Sequence, residues 1–200
     1  MTVKLAILIP AAGASTRMRG TDKLMADVDG LPLLRRQVLA ALSTEAAVVV
    51  CVPPDRPARE QALADLPVVL VVVPDADQGM AASIRAGVAV LPLEVSGVMV
   101  ALADMPDIGP ADLAGMICDF ATDPTRVLRA TTADGVPGHP VIFPRRLFAR
   151  LAQVTGDTGA REVLAAEAPR LHALPGQRAL TDLDTPEAWA DWRALRGLGA

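Results

Sequence analysis

Short aliphatic runs recur along the first half of the chain, and between them apolar positions fall at helical spacing. The runs are Leu5–Ile9, Ala47–Val52, Val68–Val73 and Val98–Leu102. Each is short, mostly β-branched and continuous rather than alternating, which predicts a strand buried on both faces. The stretches Pro32–Leu42, Arg56–Leu66, Gly79–Leu91 and Pro110–Phe120 predict helices. The order strand–helix–strand–helix predicts an α/β protein with a mostly parallel sheet, doubly wound in three layers by right-handed crossovers.

The pattern changes after about Thr122. Val127–Thr131 and Val141–Phe143 read as strands around the turn Asp134-Gly135-Val136-Pro137-Gly138. Helices are expected near Arg145–Leu151 and Gly159–Glu167, then a strand near Leu171–Leu174. A terminal helix starts at Pro186, with Thr185 as its N-cap. No repeat, low-complexity tract or linker divides the chain, so one domain over residues 1–200 is expected.

Composition refines this picture. Hydrophobic residues make up 52% of the chain, with only 3 Phe, 2 Trp and no Tyr, so the core is one of small and branched aliphatics. A net charge of −4 argues against a nucleic-acid scaffold. Cys51 and Cys118 lie far apart outside any CxxC pattern, which predicts buried thiols and a cytoplasmic protein. The apolar run after Lys4 is short, is cut by Pro10 and is followed by polar and charged residues. Neither a signal peptide nor a membrane span is expected.

In a parallel sheet, ligands bind beyond the carboxyl ends of the strands. After the first strand comes Pro10-Ala-Ala-Gly-Ala-Ser-Thr-Arg-Met-Arg-Gly-Thr-Asp-Lys23. The small residues Ala11, Ala12, Gly13 and Ala14 let backbone approach a ligand, and successive N–H groups there can form an anion-binding nest. Arg17 can fork onto phosphate oxygens, and Lys23, one of only two lysines, supplies a compact charge. An ordinary surface loop with solvated arginines is the plain alternative. Neither GxGxxG nor GxxxxGK[ST] is present, so a dinucleotide site and a P-loop are both unsupported.

The run from Ala11 to Met18 resembles the signature loop of the MobA-like nucleotidyltransferases, which include the molybdenum cofactor guanylyl- and cytidylyltransferases. Pro10 stands where that loop usually has an aliphatic residue. Arg19 reads as an extra residue, so Arg17 and Lys23 are one position further apart than usual. The resemblance implies a Rossmann-like nucleotide-diphospho-sugar transferase fold. It also implies catalytic roles for Arg17 and Lys23, and nucleotide contacts from Ala11, Ala12, Gly13 and Ser15.

Further segments follow in the family's order. Ala103-Asp104-Met105-Pro106 ends the fourth strand, where a carboxylate can hold Mg²⁺ against phosphates. Asp104 falls on the family's metal-binding aspartate. Asp182 and Asp184 precede the last helix in a similar D-[IL]-D-T-P-E segment; turn chemistry is their alternative, and Asp184 is the expected ligand with Asp182 as support. The run Gln78-Gly79-Met80-Ala81-Ala82-Ser83 opens a helix and is similar to the family's nucleotide segment, implying contacts from Gln78, Gly79 and Ser83. Gly138-His139-Pro140 matches a G-H-P run on the acceptor side. Gly156-Asp157-Thr158-Gly159-Ala160-Arg161 is similar to another, which implicates Asp157 and Arg161 in binding the acceptor, its phosphate on exposed N–H groups and Arg161; an N-cap by Asp157 with a solvated arginine is the plain alternative. His172 reads as structural.

The resemblance implies Mg²⁺-dependent transfer of a nucleotidyl group to a phosphorylated acceptor. Ala12 within Ala-Ala-Gly looks like the cytidylyl-transferring type, so CTP is favoured. The implied acceptor is a molybdopterin-type cofactor, with a molybdenum hydroxylase as the eventual partner, and neither nucleic acid nor membrane takes part. Two rivals stand beside this reading: a sugar- or alditol-phosphate nucleotidyltransferase, and a non-catalytic carrier of the molybdenum cofactor.

Overall fold

The computed structural model describes residues 3–156 and 159–197. The chain runs through β1 (Leu5–Pro10), a small hairpin of β2 (Asp27–Val28) and β3 (Leu31–Pro32), and α1 (Leu33–Leu42). It continues through β4 (Ala47–Val52), α2 (Pro57–Gln61), β5 (Val69–Val72), α3 (Met80–Ala89), β6 (Gly97–Val100) and α4 (Pro110–Thr122). The last part holds β7 (Leu128–Thr131), β8 (Pro137–Pro144), α5 (Phe148–Leu151), α6 (Arg161–Ala165), β9 (Arg170–Ala173) and α7 (Pro186–Leu195).

Seven strands form one sheet in the order β5-β4-β1-β6-β8-β7-β9. β1 pairs in parallel with β4 and β6, and β4 with β5. β8 runs against both neighbours, with Val98 opposite Phe143, while β9 is again parallel to β7. Side chains alternate across the strands. Ile7 and Ile9 therefore pack with Leu34 and Val38 of α1 and Met116 and Phe120 of α4. Leu8, Val49 and Cys51 pack on the other face with Ala81, Ala82 and Ile84 of α3 and Leu151 of α5. The result is the expected three-layer α/β arrangement, and its topology leaves the carboxyl ends of β1, β4 and β6 at one rim.

Three expectations are corrected. The run Val68–Val73 was expected to be buried on both faces, but β5 lies at the sheet edge, with Val69 47% and Val72 46% exposed. The helix expected over Arg56–Leu66 closes after Gln61 and gives way to turns. Cys51 is buried as expected, whereas Cys118 is exposed. In α4 the inward face is set by Leu113, Met116 and Phe120, and Cys118 falls between the last two on the opposite side. Thr185 does cap α7, its hydroxyl accepting from the Ala188 amide at 3.2 Å. Among the described residues no helix is long and apolar enough to cross a membrane.

Candidate active site

The loop leaving β1 borders a cavity of about 520 Å³, lined by Gly13, Ala14, Ser15, Arg17, Lys23, Gly79, Ser83, Asp104 and Asp184 among others. The Ala11 amide donates to the Cys51 carbonyl at 2.8 Å, extending the β1–β4 ladder by one bond. The chain then turns sharply at Ser15, whose φ of 54° is left-handed. Residues Thr16–Met18 form a single 3-10 turn, and Arg19 takes a second left-handed conformation. Its side chain turns outward, with the guanidinium 2.7 Å from Glu187 at the start of α7. Asp22 then caps the turn Lys23–Met25 by accepting from the Leu24 amide at 3.1 Å.

Lys23 reaches the centre of the rim. Its Nζ lies 2.5 Å from Asp104 Oδ2 and 2.5 Å from Asp184 Oδ1, and Arg17 pairs with the other oxygen of Asp184. Burial draws the Lys23 ammonium down, but the charge of Asp104 and the hydrogen bonds to both carboxylates outweigh it and push it upward. Burial raises Asp184, yet Lys23 and Arg17 together hold it below the ordinary carboxylate range. Asp104 Oδ1 is buried with no partner among the described residues.

Two devices bring Asp184 across the chain to this point. The Leu183 amide donates to the Asp104 carbonyl at 3.0 Å, stitching the segment before α7 to the end of β6. Beneath it, Met18, Val28, Leu33, Leu183, Trp189 and Trp192 form a separate apolar cluster that ties α7 to the loop and the β2–β3 hairpin. Trp192 Nε1 anchors this cluster by donating to Asp107 at 3.0 Å.

At the opening of α3, Gly79 has a φ of 83°, a conformation suited to glycine, and lines the cavity with the buried Ser83. Gln78 turns elsewhere: its side-chain oxygen accepts from Arg85 at 3.0 Å, and it is not part of the lining. Ala12 is buried in the core beneath the loop, so its side chain cannot meet a ligand directly.

A second cavity, of about 540 Å³, adjoins the first through Met80 and Leu102. Apolar side chains dominate its wall, with Arg129, His139, Arg161 and Asp182 as the ionisable members. Gly138 lets β8 pass the 179 segment closely: a Cβ there would stand 1.9 Å from the Ala179 carbonyl oxygen. The neighbouring His139 amide donates to that same carbonyl at 2.9 Å. Burial, reinforced by Arg129, pushes the His139 imidazole down to about 4, and its Nδ1 is buried without a partner. Burial and the negative charges of Asp104 and Asp184 push Asp182 upward. Pro140 lies in β8 outside the lining, and Asp157 lies outside the described residues.

Asp182 and Asp184 thus face different cavities, Asp184 alone meeting Lys23. Three residues not singled out from the sequence also belong here. Arg129 borders the second cavity, its Nε donating to the Gly138 carbonyl at 3.0 Å; among the described residues neither it nor Arg161 pairs with a carboxylate. Arg59 and Asp22 form an ion pair beneath the first loop, with Nε and Oδ2 2.8 Å apart.

An α/β sheet with a cationic loop, two convergent carboxylates and paired cavities at its carboxyl rim defines an enzyme of nucleotide chemistry. The chain belongs to the MobA-like NTP transferase domain family, whose model matches residues 7–173, and it is a nucleotidyltransferase. Its fold is shared over 100% of both chains with the crystal structure of Rv0371c from Mycobacterium tuberculosis H37Rv, at 28% identity and a TM-score of 0.82. A manganese complex of Rv0371c matches at 25% identity over 98% of each chain, with a TM-score of 0.77. The chain is also 36% identical over 117 residues to the bifunctional protein GlmU of Leifsonia xyli subsp. xyli (strain CTCB07). That match covers 56% of this chain but only 24% of the relative's length.

Proposed function

We propose that this nucleotidyltransferase moves CMP from CTP to a molybdopterin-type molybdenum cofactor, releasing pyrophosphate, with Mg²⁺ as its cation. The strongest support is the convergence of Lys23, Asp104 and Asp184 in the first cavity, which adjoins the second through Met80 and Leu102. The first cavity suits a triphosphate. The second suits an anionic acceptor with a broad, largely apolar body.

A divalent cation fits these residues. The unpartnered Asp104 Oδ1 is a buried acceptor oxygen in need of a cation, and Asp184 stands on the other side of Lys23. Among the described residues no three acidic, histidine or cysteine side chains converge on a metal position. Two carboxylates completed by phosphate oxygens and water match the habit of Mg²⁺. When bound, the cation would neutralise charge developing on the phosphates.

The side chains supply the rest. Arg17 and Lys23 offset the triphosphate charge, and Gly79 and Ser83 border the space for the nucleoside. The acceptor phosphate is already ionised at neutral pH, so its in-line attack on the α-phosphorus needs no strong base, and the P–O bond to pyrophosphate breaks as the new one forms. Arg129 and Arg161 orient that acceptor. His139, neutral at this pH, borders the acceptor's space. The apolar wall built by Met80, Ile84, Val141, Phe143 and Leu164 favours a ring system over a sugar or alditol chain, whose hydroxyls would go unpaired there.

The test is pyrophosphate release with CTP, Mg²⁺ and either a molybdopterin-type acceptor or an alditol phosphate. Release that needs the pterin acceptor is expected. Release with the alditol phosphate alone transfers the proposal to that substrate class, and binding of the pterin without release from any triphosphate leaves the carrier function.

A further inference from the structure

Among the described residues Arg59 is the largest side chain with no exposed surface, and it lies directly beneath the loop that follows β1. All five of its donors are engaged. Nε and one terminal nitrogen grip the Asp22 carboxylate, each at 2.8 Å. The other terminal nitrogen donates to the carbonyls of Ala11 at 2.6 Å and Gly13 at 2.9 Å. The fifth donor reaches Ser15 Oγ at 3.2 Å. Arg56, one turn earlier and partly exposed, donates to the Ala14 carbonyl at 3.1 Å.

These contacts fix which way the loop's peptide groups face. In a trans peptide the carbonyl and the following N–H point in opposite directions. Holding the carbonyls of Ala11, Gly13 and Ala14 on the arginine side turns the amides of Ala12, Ala14 and Ser15 away from it. None of these three amides donates to another described residue. Gly13, Ala14 and Ser15 line the first cavity. A row of uncommitted N–H groups turned one way is an anion-binding nest.

We infer that Arg59, assisted by Arg56, is the positioning residue of this nest: it holds the loop carbonyls inward so that the amides of Ala14 and Ser15 face the polyphosphate. The inference rests on the first cavity being the triphosphate site. Asp22 belongs to the same device. Burial raises its carboxyl, but the hydrogen bond and charge of Arg59 prevail and hold it below the usual range, so the pair is ionised and Arg59 stays locked. Neither arginine needs to touch the ligand. Their effect passes through backbone orientation, and it falls on nucleotide binding and not on the acceptor.

The probe is inorganic triphosphate, which has no base or sugar and reports on the loop alone. Its affinity is measured by calorimetry for wild type, Arg59→Ala and Arg56→Ala, with circular dichroism to confirm folding. Wild type binds; Arg59→Ala loses at least about 10-fold and Arg56→Ala about 2- to 12-fold, the range expected for one to several hydrogen bonds. Millimolar guanidinium restores binding to Arg59→Ala by refilling the space left by the side chain. In turnover, KM for the nucleotide rises in both variants while KM for the acceptor stays put. Wild-type affinity in folded Arg59→Ala overturns the inference and leaves the triphosphate site intact. So does a loss that guanidinium cannot repair combined with wild-type affinity in Arg56→Ala. If Arg59→Ala does not fold, Arg56→Ala decides alone, unchanged affinity counting against. Failure of wild type to bind triphosphate removes the site itself, and the inference with it.

Discussion

Asp104 is the residue on which the proposed chemistry turns. One of its oxygens meets Lys23 and the other is buried without a partner, a costly arrangement unless a cation completes it. Asp104→Asn keeps the shape and removes the charge. Turnover should fall by at least about 100-fold, as for loss of a major electrostatic contact in an active site, with little change in Tm. Wild-type turnover would take Asp104 out of the site. Lys23→Met should weaken triphosphate binding by about 10- to 100-fold, the value of a charge-assisted hydrogen bond; unchanged affinity by calorimetry would show that Lys23 serves only the carboxylates. His139 gives a pH signature. Its imidazole titrates at about 4 in the folded protein against an ordinary 6.5, so below pH 6.5 the unfolded chain takes up a proton that the folded one refuses. Its contribution to stability is full above 6.5 and is lost as pH falls towards 4. The urea midpoint of His139→Asn should therefore decline less than that of wild type between these limits, and parallel declines would contradict the burial argument. The positions in the first loop were legible in the sequence because their chemistry is local. Arg59 was not, because its partners lie 37 to 48 positions away and nothing in its own neighbourhood marks it.

At the scale of elements, the segment before α7 acts as a clamp. The cluster of Met18, Leu183, Trp189 and Trp192 holds Asp184 against the loop, so a defect there should reach the site without touching a ligand. Trp189→Ala should cost about 3–5 kcal/mol in urea unfolding, the usual range for removing a large aromatic from a core, and should also weaken Mg²⁺-dependent nucleotide binding. Full nucleotide affinity in the destabilised variant would show that Asp184 is positioned by the Leu183–Asp104 backbone bond alone. The buried strands β1, β4 and β6 were plain from their aliphatic runs. The two-residue strands β2 and β3 are too short to leave an alternating pattern, although Asp29-Gly30, both with positive φ, is the dipeptide that favours such a turn. The edge position of β5 could not be read from its composition: Val69–Val72 is as apolar as a central strand, and only the order of the sheet exposes it.

At the scale of the whole molecule, the sheet's topology brings residues from distant parts of the chain to one rim. Parallel β1, β4 and β6 open their carboxyl ends on the side of the first cavity, and antiparallel β8 delivers Gly138 and His139 to the adjoining one. The α/β class followed from alternating patterns, but the insertion of β8 between β6 and β7 depends on strand pairing that no local pattern encodes. On the function proposed above, this rim binds a nucleoside triphosphate together with a divalent cation, with CTP preferred. Calorimetric titration of the protein with CTP, GTP, ATP and UTP, with and without Mg²⁺, tests it most directly. Binding that requires Mg²⁺ and is tightest for CTP is expected; equal binding with and without Mg²⁺, or no binding of any triphosphate, would overturn the proposed function.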